Sequence, residues 1–524
     1  MKPTLLSLPP ELWRLIGMQL INDVASLNTF MRLNYRAFLI GIPLLYQKVD
    51  RPEALGTLAL PSSAGLFNRH TPAHPAGLVQ SLELDFQKHT QLGESESDRA
   101  MSPVLQVKLQ EAFANFAKYG ARAARSNTSR ALKTLKLNCP TLPFFEVFKG
   151  IDFRPFQLRE LEIKCLAPSA NMRPEDLVRW ARCLATLIRP SLEQLTFSIG
   201  NRLPSLLSAY SSVIFRKIGQ LGVNLRELDL SIPMPFAYES EEGVVANFNT
   251  TFASNEFFFP NLRSCSIVAT WFLHTSVHLN LTPFLLRHPN LESLSCYIAS
   301  GHSLIHGALH LPHLKFYQGG PHDWLAICNP SITPPPPVER LRLVLAGSTS
   351  AEIEGQVVES LERIAGSLSG LSITGHDAVI GSVAYGNSPR WLDVSFSHIS
   401  VYERIFKACP CLRYLECHVN IEILEAGFIA LIVERLPRLR ILTLTVTDGR
   451  ESCSISKAEE VLYNIWEVLR GSSAALPLFM LSRCSVSYYL HSEPSESQAS
   501  CKVFAHSKFC EDCVPRLGFS VPFD

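Results

Sequence analysis

A Leu-x-x-Leu-x-Leu pattern recurs through most of this 524-residue chain and constrains its fold more than any other feature. From Leu132 onward, adjacent copies start roughly 21 to 37 residues apart, a range that includes the period of leucine-rich repeats and extends beyond it. So many copies are hard to obtain by chance. The clear copies are Leu132/Leu135/Leu137, Leu158/Leu161/Ile163, Leu192/Leu195/Phe197, Leu225/Leu228/Leu230, Leu262/Cys265/Ile267, Leu291/Leu294/Cys296, Val338/Leu341/Leu343, Leu368/Leu371/Ile373, Leu412/Leu415/Cys417 and Leu439/Leu442/Leu444, and the weaker ones are Val79/Leu82/Leu84, Leu314 with Tyr317, and Pro389/Leu392/Val394.

Each copy predicts a short parallel strand, and the connection after it must return the chain to the same edge of the sheet. Several connections carry helical periodicity, with apolar residues spaced for one helix face in the segments 177–188, 207–221 and 357–365. The alternation predicts a mixed α/β fold. The predicted architecture is an irregular leucine-rich-repeat solenoid, with parallel strands on the concave face and helices and irregular loops on the convex face.

The outward positions of these strands predict a binding surface. Successive side chains alternate across a strand, so the residue between the last two apolar positions of each copy should point away from the core. These residues are polar or charged, which fits either a concave surface that binds a partner protein or strands that simply face water. The preceding outward position of each copy adds further polar, charged or aromatic side chains, among them Arg340, Trp391 and Tyr414. The candidates for binding a protein substrate from both positions are Lys136, Glu162, Asp229, Arg340, Arg342, Trp391, Tyr414 and Glu416.

The first fifty residues precede the repeats and predict a small helical module. One helix begins at Pro9-Pro10-Glu11 and extends to about Leu20, a second begins at Asn22-Asp23, and a third runs through Tyr35 until Pro43 stops it. Three helices in about forty residues bury too little apolar surface to be secure alone. Part of this surface should therefore meet either a partner subunit or, as the alternative, the first repeat.

The spacing of this module resembles an F-box, and the whole chain resembles the F-box/leucine-rich-repeat substrate receptors of SCF ubiquitin ligases, especially divergent fungal ones. The resemblance rests on Leu8-Pro9-Pro10-Glu11-Leu12, the apolar positions that follow, and Ile42-Pro43-Leu44-Leu45-Tyr46. It implies that the module binds a Skp-family adaptor, which links the receptor to cullin and RING subunits, and that the repeats bind a protein substrate. The implied adaptor-binding residues are Leu8, Pro9, Glu11, Leu12, Ile16, Leu20 and Leu27.

These patterns divide the chain into an F-box-like module (1–50), an irregular linker (51–77), the solenoid (78–490) and a C-terminal tail (491–524). Within the solenoid, the composition predicts exposed loops at 91–102 and 121–129 around a helix at 105–119, and an acidic insertion at 233–258. A rival to the receptor interpretation is a leucine-rich scaffold or inhibitor with no ubiquitin role, whose N-terminal helices only cap the repeats.

Composition and motifs exclude several functions. A net charge of +1 gives no general attraction to nucleic acid or acidic membranes. Phosphate-binding loops and common nucleophile motifs are absent from the sequence, so we expect no catalytic residue and no cofactor. Fourteen cysteines without regular spacing, and no convincing targeting segment, indicate a reducing intracellular compartment, cytoplasmic or nuclear.

Two weak metal patterns leave a zinc-dependent module as a second rival. The C-x-x-C pair near the C-terminus lacks the second pair that a standard zinc site needs, and three histidines spaced four apart would share one face only in a helix. The two sets are Cys501, His506, Cys510 and Cys513, and His302, His306 and His310.

Overall fold

A computed structural model describes residues 9–21, 23–50, 54–61, 74–85, 103–125, 132–139, 148, 151, 153, 156–165, 174–199, 210–233, 241–270, 279–298, 303–345, 350–375, 396, 398–420, 423, 427–447, 478–483 and 486–491. The chain forms two compact units, Met1–Leu262 and Arg263–Asp524. Both are mixed α/β structures whose strands follow one another in chain order within an open sheet.

The first unit begins with three helices and continues as a parallel sheet. Its described helices are α1 (Pro10–Gln19), α2 (Val24–Met31), α3 (Tyr35–Leu45), α4 (Leu55–Leu58), α5 (Pro103–Arg125), α6 (Pro174–Ala185), α7 (Arg216–Leu221, directly after a π-helical turn at Tyr210–Phe215) and α8 (Glu241–Ala253). Its described strands are β1 (Lys48–Val49), β2 (Ser81–Asp85), β3 (Thr134–Cys139), β4 (Glu160–Cys165), β5 (Gln194–Ile199) and β6 (Glu227–Pro233), and a 3-10 turn covers Pro75–Gly77.

The second unit repeats the same alternation. Its described strands are β7 (Ser264–Thr270), β8 (Ser293–Ile298), β9 (Phe316–Gly319), β10 (Arg340–Leu345), β11 (Gly370–Gly375), β12 (Tyr414–Asn420), β13 (Ile441–Thr447), β14 (Leu478–Arg483) and β15 (Val486–His491). Its described helices are α9 (Thr282–Leu286), α10 (Pro321–Ile327), α11 (Ala351–Ile364), α12 (Ile399–Ala408) and α13 (Ile429–Arg435). The pairings from β7 to β14 are parallel, and β14 pairs with β15 antiparallel.

The repeated apolar positions set the register of both sheets. In the first unit Leu82, Leu135, Leu161, Leu195 and Leu228 lie side by side on successive strands, each buried to 1% exposure or less. Because a slip of one residue would turn every such leucine to the opposite face, burial of this row fixes the alignment. The predicted α/β class and parallel strand order are confirmed, and every predicted repeat coincides with a strand except Pro389/Leu392/Val394, which lies outside the described residues.

The layer that packs against the strands is rich in aromatic residues. In the first unit Phe215 contacts Phe248 and Phe257 with ring centroids 5.4 and 5.9 Å apart, and Phe257 contacts Phe259 at 4.9 Å. In the second unit the Tyr317 ring lies 5.4 Å from that of Trp324. Helical connections therefore bury large rings against the sheet, which contributes much of the apolar burial of each repeat.

Several predicted boundaries are wrong. Helix α3 continues past Pro43 to Leu45, because a proline in the last turn removes only one helical hydrogen bond. Helix α5 runs through the predicted loop at 121–129 as far as Arg125, where alanine and arginine favour helix. The acidic insertion at 233–258 contains α8, whose Phe248 and Phe252 are buried.

The predicted division at residues 50 and 77 also differs from the structure. Strand β1 lies inside the predicted helical module and pairs with β2, so the sheet begins before residue 50. The predicted irregular linker includes α4, in which Leu55 and Leu58 are fully buried, and the buried 3-10 turn. These segments belong to the core of the first unit because their apolar side chains pack there. The predicted loop at 91–102 lies outside the described residues, and the predicted tail at 491–524 is described only at its first residue.

Candidate protein-binding surfaces

The three N-terminal helices pack around a small core of their own. Side chains cap the starts of α2 and α3: the Asp23 carboxylate accepts hydrogen bonds from the Ala25 and Ser26 amides at 3.1 Å, and the Asn34 side-chain oxygen accepts one from the Ala37 amide at 2.8 Å. The hydrogen bonds from Ser26 hold the pKa of Asp23 below its usual value. The core consists of Trp13, Leu27, Phe30 and Ala37, with Leu20, Met31, Ile40, Leu44 and Leu45 packed against it.

Two glycines allow these helices to approach closely. A Cβ atom at Gly17 would lie 2.8 Å from the Leu44 side chain, and one at Gly41 would overlap Met31. Trp13 then reaches Phe30, with ring centroids 5.5 Å apart. Trp13 and Gly17 are the buried residues of α1, so the other sides of this helix face outward.

The outward sides of these helices carry a concentration of apolar side chains, which we call the apolar docking surface. Of the twelve exposed large hydrophobic residues in the described part of the chain, eight lie between residues 12 and 39. Folded chains rarely concentrate exposed apolar groups in one small module unless something covers them. The surface comprises Leu12, Leu15, Ile16, Met18, Val24, Leu33, Tyr35 and Leu39, which are 36–61% exposed.

The predicted adaptor-binding residues fall into three groups. Pro9, Glu11, Leu12 and Ile16 are exposed, so α1 presents the predicted face outward. Leu20 is partly buried against the module core, and Leu8 lies outside the described residues.

Leu27 differs from its predicted role. It is 1% exposed and packs in the module core, so it supports the helices from inside instead of forming their surface. The outward face of α1 adds Leu15 and Met18, which the motif did not include. The sequence could have identified them, because Leu12, Leu15 and Met18 follow one another at intervals of three residues, and residues three apart share a helix face.

The outward residues of the first-unit strands are largely paired with one another. Lys136 lies on β3 with its ammonium 2.6 Å from Glu160 and 3.8 Å from Glu162 on the neighbouring strand, and Lys164 lies 2.7 Å from Glu162. The hydrogen bond with Glu160 is the main cause that raises the pKa of Lys136. Asp229 is aligned with Thr196 at the far end of the same row. Most charges of this face therefore have partners already, and such half-exposed pairs add little stability.

In the second unit, a carboxylate network joins three neighbouring strands. The Glu416 carboxylate accepts a hydrogen bond from the Ser372 hydroxyl at 2.6 Å and lies 3.4 Å from the Tyr414 hydroxyl. Arg342 lies 3.9 Å from Glu416, and both side chains are only 15% exposed. Burial, and then the charge of Glu416, raises the pKa of the Tyr414 hydroxyl. Three of the predicted binding residues are thus brought together, although their polar atoms are engaged within the network.

A neighbouring row on the same strands is more open. Phe316, Arg340, Gly370 and Tyr414 stand side by side on β9 to β12, and Arg340 is exposed. Gly370 lets the flanking side chains pack closely, because a Cβ atom there would lie only 3.3 Å from the Arg340 side chain. Aromatic and arginine side chains are typical of residues that dominate protein interfaces. Phe316 was not predicted, since its repeat is one of the weak copies, and Trp391 lies outside the described residues.

Replacing Glu416 with Ala should lower the free energy of unfolding by about 2 kcal/mol, because Ser372 and Arg342 lose a charged acceptor away from water. The Glu416→Gln variant keeps an acceptor for Ser372 and should lose about half as much. Urea unfolding followed by circular dichroism measures both. An alanine variant as stable as the original protein would show that the network contributes nothing.

Metal and membrane sites gain no support from the described residues. Among them, no three His, Cys, Asp or Glu side chains are grouped to hold a metal ion. His306 and His310 lie on a non-helical segment, so they do not share a helix face, while His302 and the C-terminal Cys501, His506, Cys510 and Cys513 lie outside the described residues. A search of the described helices for one that is long and apolar enough to cross a bilayer finds none.

Comparison with known proteins assigns no family: no protein-family model matches the chain, and no curated protein matches it significantly. The function proposed below is therefore derived from the apolar docking surface and the outward residues of the repeat strands.

Proposed function

We propose that this protein is a substrate-recognition subunit of an SCF-type E3 ubiquitin ligase. In this proposal the apolar docking surface binds a Skp-family adaptor, which connects the chain to cullin and RING subunits. The repeat strands bind a protein substrate. The observation that carries the proposal is the outward apolar face of α1, with Leu12, Leu15 and Ile16 available to a partner.

The protein would act by positioning and contribute no catalytic side chain. Binding an adaptor at one end and a substrate along the repeats raises the local concentration of the substrate beside the ubiquitin-charged enzyme. The thioester and isopeptide chemistry would belong to the other subunits. The row of Phe316, Arg340 and Tyr414 is the best candidate for the substrate contact in the second unit, because it places an exposed arginine between two half-buried aromatic side chains, the residue types that anchor interfaces.

An intracellular location, cytoplasmic or nuclear, is part of the proposal. Seven cysteines in the described part of the chain are free thiols, and five of these seven are buried. Buried thiols such as Cys296 and Cys417 fill the repeat interior as small apolar side chains. This use of cysteine suits a reducing compartment, where the ubiquitin machinery would also be present.

Site-specific photo-crosslinking tests the adaptor contact. A photoreactive amino acid at Leu15, which is 56% exposed, should crosslink a Skp-family adaptor when the full chain is expressed in cells and isolated for mass spectrometry. The matched position is Leu286, 57% exposed but in the second unit, and it should give no adaptor crosslink. If neither position captures an adaptor or cullin, the chain is better explained as a leucine-rich scaffold or inhibitor.

A further inference from the structure

An open hollow in the first unit is lined by an unusual set of side chains. It lies between α6, the turn that follows α6, and the π-helical turn with α7, and its volume is about 450 Å³. Four cations line it, Arg182, Arg189, Arg216 and Lys217, together with the hydroxyl of Thr186 and the amide of Gln220. We call this site the basic hollow.

No carboxylate is present among the described residues that line the basic hollow. Elsewhere in this unit, cations are placed beside acids: Lys48 lies 2.8 Å from Glu83, and Arg159 and Arg226 both lie within 4 Å of Glu193. Within the described part of the chain, Arg182, Arg216 and Lys217 form no such pair. Like charges repel one another, so the fold gains nothing from placing Arg182, Arg216 and Lys217 around one hollow.

The dimensions of the hollow let the four cations act on one ligand. A volume of 450 Å³ corresponds to a sphere roughly 10 Å across, which is about one Debye length at physiological salt, so the four charges are only partly screened from one another. This volume lies within the range of small-molecule sites and is too small for a folded partner. Arginine guanidinium groups match the oxygen spacing of phosphate and can bind it through two hydrogen bonds at once.

We propose that the basic hollow binds a small soluble anion that carries several phosphate groups. The arginines and Lys217 would neutralise the phosphate oxygens, while the side-chain amide of Gln220 donates a further hydrogen bond at the rim. Nucleic acid is a weaker fit, because the net charge of the whole chain is only +1 and the strand-side cations of this unit are already paired. The proposal is independent of adaptor or substrate binding.

Calorimetric titration of the full chain with sodium tripolyphosphate tests the site. We expect saturable binding of one anion with a Kd of about 1 to 100 µM at physiological salt. The double variant Arg216→Gln with Lys217→Gln should weaken binding about tenfold or more, since each lost charge-assisted hydrogen bond has an effect of that order. The variant Arg159→Gln with Arg226→Gln removes the same net charge from the same unit and should leave the Kd unchanged.

Further measurements separate this site from general charge effects and from misfolding. The variant Arg216→Gln with Lys217→Gln, called the hollow variant below, removes repulsion between the cations of the basic hollow. In the absence of ligand it should therefore melt at the same temperature as the original protein or at a higher one. If it unfolds, the single variant Arg182→Gln provides the same comparison. Binding that does not saturate, or that falls equally in the Arg159 and Arg226 variant, would overturn the proposal. So would single-stranded RNA binding more tightly than tripolyphosphate and losing affinity in the hollow variant.

Discussion

The double substitution Leu12→Asp with Ile16→Asp is expected to weaken binding of a Skp-family adaptor at least about 100-fold, which corresponds to roughly 3 kcal/mol. Both side chains stand on the outward face of α1, 43% and 36% exposed, and would lose apolar contact with the adaptor. Each contributes on the order of 1.5 to 3 kcal/mol when fully buried, and a charge in its place adds a desolvation cost. Biolayer interferometry with purified adaptor measures the change.

The same substitutions should leave the fold intact, because the module core is formed by Trp13, Leu27 and Phe30 and includes neither residue. Circular dichroism should therefore show unchanged helix content. The matched control is Val223→Asp with Leu286→Asp, which places two charges at similarly exposed apolar positions outside the module. If the control weakens adaptor binding as much as the Leu12 and Ile16 variant, the contact is not made by α1.

Replacing Asp323 with Ala is expected to lower the free energy of unfolding by about 3 kcal/mol. Asp323 is 1% exposed and lies in the first turn of α10, and its Oδ1 accepts hydrogen bonds from the Leu304 and Ile305 amides at 2.7 and 2.8 Å. The Ser303 hydroxyl also donates to this oxygen, at 2.6 Å. Without this carboxylate, the buried Leu304 amide loses its acceptor and the Ile305 amide keeps only a longer bond of 3.3 Å to the Ser303 hydroxyl oxygen. An unsatisfied buried amide costs about 1 to 3 kcal/mol.

Hydrogen exchange gives a local test of this loss. The Leu304 and Ile305 amides should exchange faster in Asp323→Ala, whereas Asp323→Asn retains an oxygen at the same position and should keep them protected. Unchanged exchange at both amides in the alanine variant would show that Asp323 does not hold this segment.

The charge of Asp323 makes part of the stability depend on pH. Burial is the main cause that raises its pKa from 3.8 to about 6, against hydrogen bonds that lower it. A carboxyl group with a raised pKa in the folded state favours folding while it is protonated. Its contribution is therefore largest below about pH 4 and is lost as the pH rises through 6. The Asp323→Asn variant should lack this component, so its stability should fall less than that of the original protein between pH 4 and 6.

The repeat strands were predictable because each copy contains its own evidence. In a strand such as β4, Leu161 and Ile163 alternate with Glu160 and Glu162, and this alternation fixes both the strand and its buried face. Helix α8 was missed although Val245, Phe248 and Phe252 have helical spacing, because the acidic residues before them indicated an exposed insertion. Strands β1, β14 and β15 lack the Leu-x-x-Leu-x-Leu pattern, so only the neighbouring strands reveal them.

The candidate sites were predictable only in part. The apolar positions of α1 indicate an amphipathic helix, but which side packs inward depends on Trp13 and Gly17 meeting α2 and α3. For the same reason Leu27 could not be placed in the core from its motif. The basic hollow is formed by α6 and α7, whose cations are about thirty residues apart in sequence, so no local pattern marks it.

Isothermal titration of the purified full chain with a purified Skp-family adaptor measures whether the apolar docking surface binds that adaptor. We expect a complex of one chain with one adaptor, a Kd of about 1 µM or tighter, and a negative heat-capacity change as the exposed apolar side chains are covered. No detectable complex at about 100 µM of either protein, with α1 to α3 folded, would show that this surface does not bind the adaptor.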